Sequence, residues 1–149
     1  MSIAVLKPGL QTTLQGAPYS GHRHLGMPAA GAADCLSHAL ANFLVGKPSD
    51  QISFEITLTE AIFLIQKPCL VGVVGGAKFV RINGEDQPLH ETLNTMPGDE
   101  IHIGPCLTGC RTYLAVSAKI QAETLLEGQS TCLTAGLGGH HGRAVKAQD

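Results

Sequence analysis

The chain has 149 residues, 44% hydrophobic and only 15% charged, with a formal net charge of -2, which favours one domain spanning residues 1–149 with a sizeable core. This charge excludes a nucleic-acid footprint, which needs clustered Lys and Arg, and no apolar run approaches the ~20 residues of a membrane span. The start, "MSIAVLKPG", has no charged region ahead of a long apolar stretch, so no signal peptide is expected and the cytoplasm is the expected compartment.

"IAVLK" (residues 3–7) reads as a strand stopped by Pro8-Gly9, and "QTTLQ" (residues 11–15) as a second. Residues 16–33 are mostly Gly, Ala, Pro, Ser and His, a loop long enough to suggest function or disorder. A helix over about residues 35–45 follows. Asp34 is placed to cap its first turn, and Gly46 with Pro48 to end it. Leu36, Leu40, Phe43 and Leu44 fall at helical spacing and predict one inward apolar stripe.

Beyond Pro48 the period changes to that of strands. "ISFEIT", "AIFLI" and "CLVGVVG" are rich in β-branched and apolar residues, and the last is apolar on both faces, as a central strand would be. Asn83-Gly84 predicts a two-residue hairpin, because a type I′ turn needs positive φ at both positions. "EIHIG" and "RTYLAVS" are further strands, and the tail "TAGLGGHHGRAVKAQD" closes no element. One helix among many short strands predicts a mainly β fold, an antiparallel barrel or sandwich, with the helix plugging an open end.

Local patterns carry little chemistry. His22 and His24, with His140 and His141, bind a metal only if the fold joins them, so no metal is expected. The five cysteines are odd in number and scattered, which predicts reduced thiols. "AGLGGHHGRA" lacks the Lys-Ser/Thr of a phosphate loop; it reads as a flexible turn, with an anion cradle assisted by Arg143 as the alternative. Glu55 shares a strand face with Ser53 and Thr57 and is expected to face solvent or a barrel mouth. Arg111 is expected to pair with Glu55 or Asp34, or to bind an anion.

The order of motifs carries more than any one of them. "KPGLQTTLQ", "HLGMPAAGAAD", "LANFLVG", "FEITL", "GGA", "GCRTYLAV" and "GLGGHHGRA" occur colinearly over nearly the whole chain. In this the sequence resembles the biotin-dependent carboxyltransferase-like family, which includes a subunit of bacterial 5-oxoprolinase, allophanate hydrolase subunit 2 and the carboxyltransferase region of urea carboxylase. The resemblance implies a cyclophilin-like β-barrel, matching the N-terminal half of family members. It implies a subunit of an ATP-dependent 5-oxoprolinase or a carboxyltransferase, acting on a small lactam or urea-like amide with a companion subunit. ATP is then the implied cofactor, with biotin carried by a partner, and homo-oligomers are a further expectation. On the matching motifs, Asp34, Glu55 and Arg111 are the implied catalytic residues, and His24, Gly31, Asn42, Tyr113 and Arg143 the implied substrate-binding residues.

The chain departs from the family pattern at Gly16, Pro18 and Tyr19, where an acid and a Gly-Arg pair are usual, and at Ala30, Ala118-Lys119 and Glu127. These departures imply the alternatives of a non-catalytic regulator, such as a kinase-inhibitor antagonist, or an inactive fragment. The expected contact surface is the loop of residues 16–33 with the glycine-rich tail, because neither reads as having a packed core of its own.

Overall fold

The computed structural model describes residues 2–149. Among the described residues ten strands form, in chain order β1 Ile3–Lys7, β2 Gln11–Gln15, β3 Ser53–Thr57, β4 Ala61–Ile65, β5 Cys69–Gly75, β6 Val80–Ile82, β7 Glu85–Gln87, β8 Thr92–Thr95, β9 Glu100–Ile103 and β10 Arg111–Val116, with one α-helix. The helix, α1, spans Cys35–Leu44. Among the described residues no helix is long and apolar enough to cross a membrane.

The strands make two five-stranded antiparallel sheets, ordered β1-β4-β9-β6-β7 and β2-β3-β10-β5-β8. Strand alternation sends one side of each sheet inward. In the first sheet Val5, Phe63 and Ile101 stand opposite one another; in the second, Leu14, Phe54, Leu114 and Val73 do. Both rows belong to one buried cluster between the sheets. The fold is therefore mainly β, with two sheets around one core, as the strand pattern predicts. Asn83 (φ 53°) and Gly84 (φ 86°) form the β6–β7 turn with positive φ at both residues, which is the reason for that dipeptide. β8 carries no strong sequence signal.

The helix departs from expectation in two ways. It plugs no barrel end: it lies on the outer face of the second sheet, against β10 and β5. And of the stripe of Leu36, Leu40, Phe43 and Leu44, only Leu44 packs on the sheet, while the other three stay outside. Leu36 is 70% and Phe43 75% exposed, while His38, Ala41, Asn42 and Val45 form the buried face. The reason is shape. A Cβ on Gly72 would stand 2.8 Å from Leu44 Cβ and 3.0 Å from the Ala41 carbonyl oxygen, so the sheet here admits only a closely approaching helix. Small Ala41 meets that floor beside Val74, Tyr113 and Ala115. The polar members of the buried face find backbone partners: His38 Nε2 donates to the Gln15 carbonyl oxygen at 3.1 Å, and Asn42 Nδ2 to that of Gln51 at 2.8 Å.

The loop of residues 16–33 is ordered by Tyr19, which is fully buried and donates its hydroxyl to the Ser130 carbonyl oxygen at 2.7 Å. The glycine run closes around it. A Cβ on Gly138 would lie 1.7 Å from the Tyr19 hydroxyl, and one on Gly128 2.5 Å from its ring. The tail is thus a packed element and not the flexible turn expected. It also links the two sheets, because the Val145 N–H donates to Thr12 of β2 at 2.8 Å and the Gln148 N–H to Val5 of β1 at 2.7 Å.

Candidate functional site

The outer face of the second sheet carries the candidate site. Register places Glu55 of β3 directly opposite Tyr113 of β10, with Arg111 on the neighbouring diagonal. Glu55 does share its face with Ser53 and Thr57, but that face is roofed by the helix and the preceding loop. Glu55 is therefore only 5% exposed, not solvent-facing. Its carboxylate is fully engaged. Oε2 accepts the Tyr113 hydroxyl at 2.7 Å and the Ala33 N–H at 2.8 Å, and Oε1 accepts Arg111 Nε at 3.3 Å.

Tyr113 links the sheet to the helix start, since its oxygen receives the Asp34 N–H at 2.8 Å. Burial, with the Glu55 and Asp34 charges adding to it, holds the phenol well above its ordinary pKa, so it stays a hydrogen-bond donor. The Asp34 carboxylate caps α1 by accepting the Ser37 N–H at 3.0 Å and the Ser37 hydroxyl at 2.5 Å. These bonds from Ser37 hold its carboxyl below the usual range, so it is ionised at neutral pH.

Beside this network lies a groove of about 940 Å³ between α1 and the strand ends. One end is polar, with Asp34, Ser37, Thr108 and Arg111; the other is apolar, with Leu40, Phe43, Leu44 and Val74. Gly75 and Gly76 form the wall between them; a Cβ on Gly76 would lie 1.9 Å from the Thr108 carbonyl oxygen. Arg111 is anchored by Glu55 at Nε and by the Cys110 carbonyl oxygen at Nη1, 3.2 Å away. Among the described residues its Nη2 has no protein acceptor. The guanidinium edge is thus held still and left free at the polar end, an arrangement suited to a carboxylate or carbonyl oxygen.

Of the sequence-derived residues, Asp34, Glu55, Arg111 and Tyr113 come together here. Tyr113 is fully buried and lies behind the groove. Asn42 is also fully buried, its amide nitrogen donating to the Gln51 and Ser49 carbonyl oxygens. Gly31, at φ 95°, packs on Pro18, and His24 is exposed in a short 3-10 turn, Arg23–Leu25. Arg143 lies in the tail, where it grips Asp149 at 2.7 Å. Among the described residues no three metal-ligating side chains cluster; His140 pairs with Asp149 and His141 with Glu123. Sequence reading missed Ser37, His90 and Thr108, which line the groove but sit in no recognisable motif.

Comparison with known proteins gives this groove a context. The chain is 30% identical over 149 residues to urea amidolyase of Saccharomyces cerevisiae, covering 99% of this chain and 8% of that protein. It is 27% identical to a 5-oxoprolinase subunit of Escherichia coli, covering 99% of this chain and 47% of that one. Among solved structures, the urea amidolyase of K. lactis superposes with a TM-score of 0.95 at 32% identity, covering 99% of this chain and 9% of that chain. The chain therefore spans less than half of the curated relatives named here. Residues 25–149 match the family described as carboxyltransferase domain, subdomain A and B, and the chain belongs to that family.

Proposed function

We propose that this chain contributes the groove beside α1 to a carboxyl-transfer enzyme acting on a small urea-like amide, together with a companion subunit. The observation that carries this reading is the clamped Arg111, whose Nη2 has no acceptor among the described residues at the polar end. Biotin carried by a partner would supply the activated carboxyl group. The groove suits such a ligand, with an apolar wall of Leu40, Phe43 and Val74 for an arm and a polar end for a head. Arg111 would hold the transferring carboxylate in place and stabilise the negative charge that passes to the leaving group as the carboxyl departs. The ionised Asp34 retains acceptor capacity beyond Ser37 and would orient an amide N–H. The urea-type relatives, at 30–32% identity, favour a urea-like amide over the lactam suggested by the 27% relative.

ATP fits less well. The glycine run is packed against Tyr19, Thr131 and Gly136, and a Cβ on Gly139 would lie 2.0 Å from Thr131 Oγ1. The space beside its buried glycines, Gly138, Gly139 and Gly142, is already filled by this chain, which leaves a phosphate little room there.

The test uses the protein with its companion subunit, supplied with carboxybiotin and either urea or 5-oxoproline. Arg111→Gln should reduce urea-dependent transfer by about 100-fold, the scale of one lost electrostatic donor. Unchanged transfer in that variant would sink the reading. A non-catalytic regulatory role is the second reading, favoured by Tyr19, which stands as a packing residue near where the family pattern has charge. It expects companion binding without detectable transfer by the unsubstituted protein.

A further inference from the structure

A second cavity, of about 530 Å³, opens where the edge strands β1 and β2 face one another across the sandwich. It shares no residue with the groove beside α1. The tail bridges the two strands here, through Val145 to Thr12 and through Gln148 and Asp149 to Val5, and the gap beside it is incompletely filled. Ile3, Val5, Leu14 and Phe54, all members of the core, make an apolar floor.

The rim carries charge of both signs, but the signs are not equally free. Glu123 accepts a hydrogen bond from the His141 imidazole at 2.8 Å, which leaves its charge in place when that ring is neutral. Asp149 is taken by Arg143 at 2.7 Å and by His140 at 3.2 Å. Lys67 and Lys119 have no carboxylate within ion-pair distance among the described residues. Two unpaired lysines against one carboxylate that no Lys or Arg pairs, Glu123, leave the rim positive, above a floor that water solvates poorly. The volume falls within the ~300–1,000 Å³ of small-molecule pockets, which pair an apolar lining with a few polar groups.

We propose that this cavity is a second binding site, taking a small carboxylate with an apolar body, whose chain lies on the Ile3–Val5–Leu14–Phe54 floor and whose head meets Lys67 and Lys119. Neither end suffices alone. An alkyl chain without the charge gains only the floor, and a bare anion gains only two exposed lysines, which salt screens.

Calorimetric titration of the full chain with octanoate, octanol and octylamine tests this. Octanoate should bind tightest and octylamine least, and raised salt should weaken octanoate alone. Lys67→Gln combined with Lys119→Gln lies on the surface and should leave folding intact. It should weaken octanoate by about three- to tenfold, as expected for exposed charge pairs, and leave octanol unchanged. Phe43→Ser, in the groove beside α1, should leave octanoate binding as it is. Equal affinity for octanoate and octylamine, unchanged octanoate binding in the lysine variant, or no octanoate binding into the millimolar range would each overturn the proposal. Loss of octanoate binding in Phe43→Ser would place the ligand in the other groove and overturn it equally.

Discussion

The Tyr113 hydroxyl donates to Glu55 at 2.7 Å while receiving the Asp34 N–H at 2.8 Å, so one buried oxygen ties β3, β10 and the start of α1 together. Tyr113→Phe keeps the ring and removes both bonds. It leaves a buried carboxylate one donor short and an N–H without its acceptor. Stability should fall by about 1–3 kcal/mol, the cost of stranding buried polar groups. Chemical denaturation measures this directly, and an unshifted midpoint would show that the network adds nothing to stability.

Asp34→Ala should cost about 1 kcal/mol through loss of the helix cap, while Asp34→Ser, which keeps a capping oxygen, should recover most of it. Melting curves of the two variants give the structural share. If transfer activity with the companion subunit falls in both variants alike, the carboxylate has a role at the groove beyond the cap.

Gly72 poses two opposing effects. Alanine in a strand removes glycine's entropy cost, a gain of about 0.5–1 kcal/mol. But its Cβ would meet Leu44 Cβ at 2.8 Å and the Ala41 carbonyl oxygen at 3.0 Å, both fixed in the helix. Overpacking of this kind costs about 1–3 kcal/mol, so Gly72→Ala should be net destabilising. A variant that melts higher than the parent would mean the helix moves away from the sheet freely.

His38 sets a pH dependence. Burial lowers its pKa, and its ring donates to the Gln15 carbonyl oxygen in the neutral form. The unfolded chain, with an ordinary His pKa of ~6.5, takes up a proton that the folded state refuses. Stability should therefore be full above that value and fall as pH drops below it, by at most ~1.4 kcal/mol per pH unit, until the lower folded-state pKa is reached. The lowered Asp34 carboxyl acts in the same direction but below pH ~3.9, outside this window. His38→Gln should flatten the slope between pH 7 and 5. Denaturation midpoints across that range check it, and an identical slope in the variant would rule His38 out.

By itself the sequence determined the elements whose signals are local. Short apolar, β-branched runs between turn residues marked β1, β3, β4, β5 and β10, the Asn83-Gly84 pair marked its hairpin, and Asp34 and Gly46 marked the ends of α1, because each signal depends only on neighbouring φ, ψ and side-chain type. It placed Glu55 on the correct face of β3. Only the tertiary structure decided what covered that face. Whether Glu55 met water or Tyr113, Ala33 and Arg111 depended on register with β10 and on a helix some residues away in the chain. The apolar stripe expected of the helix was not the face it buried. Gly72 and Ala115 leave a shallow floor that a narrow face with Ala41 fits, and the Gln15 and Gln51 carbonyls accept the polar groups of His38 and Asn42. No local period records the depth of that floor or the position of those acceptors. That is why Leu36, Leu40 and Phe43 stand outside, and why the apolar wall of the groove exists at all.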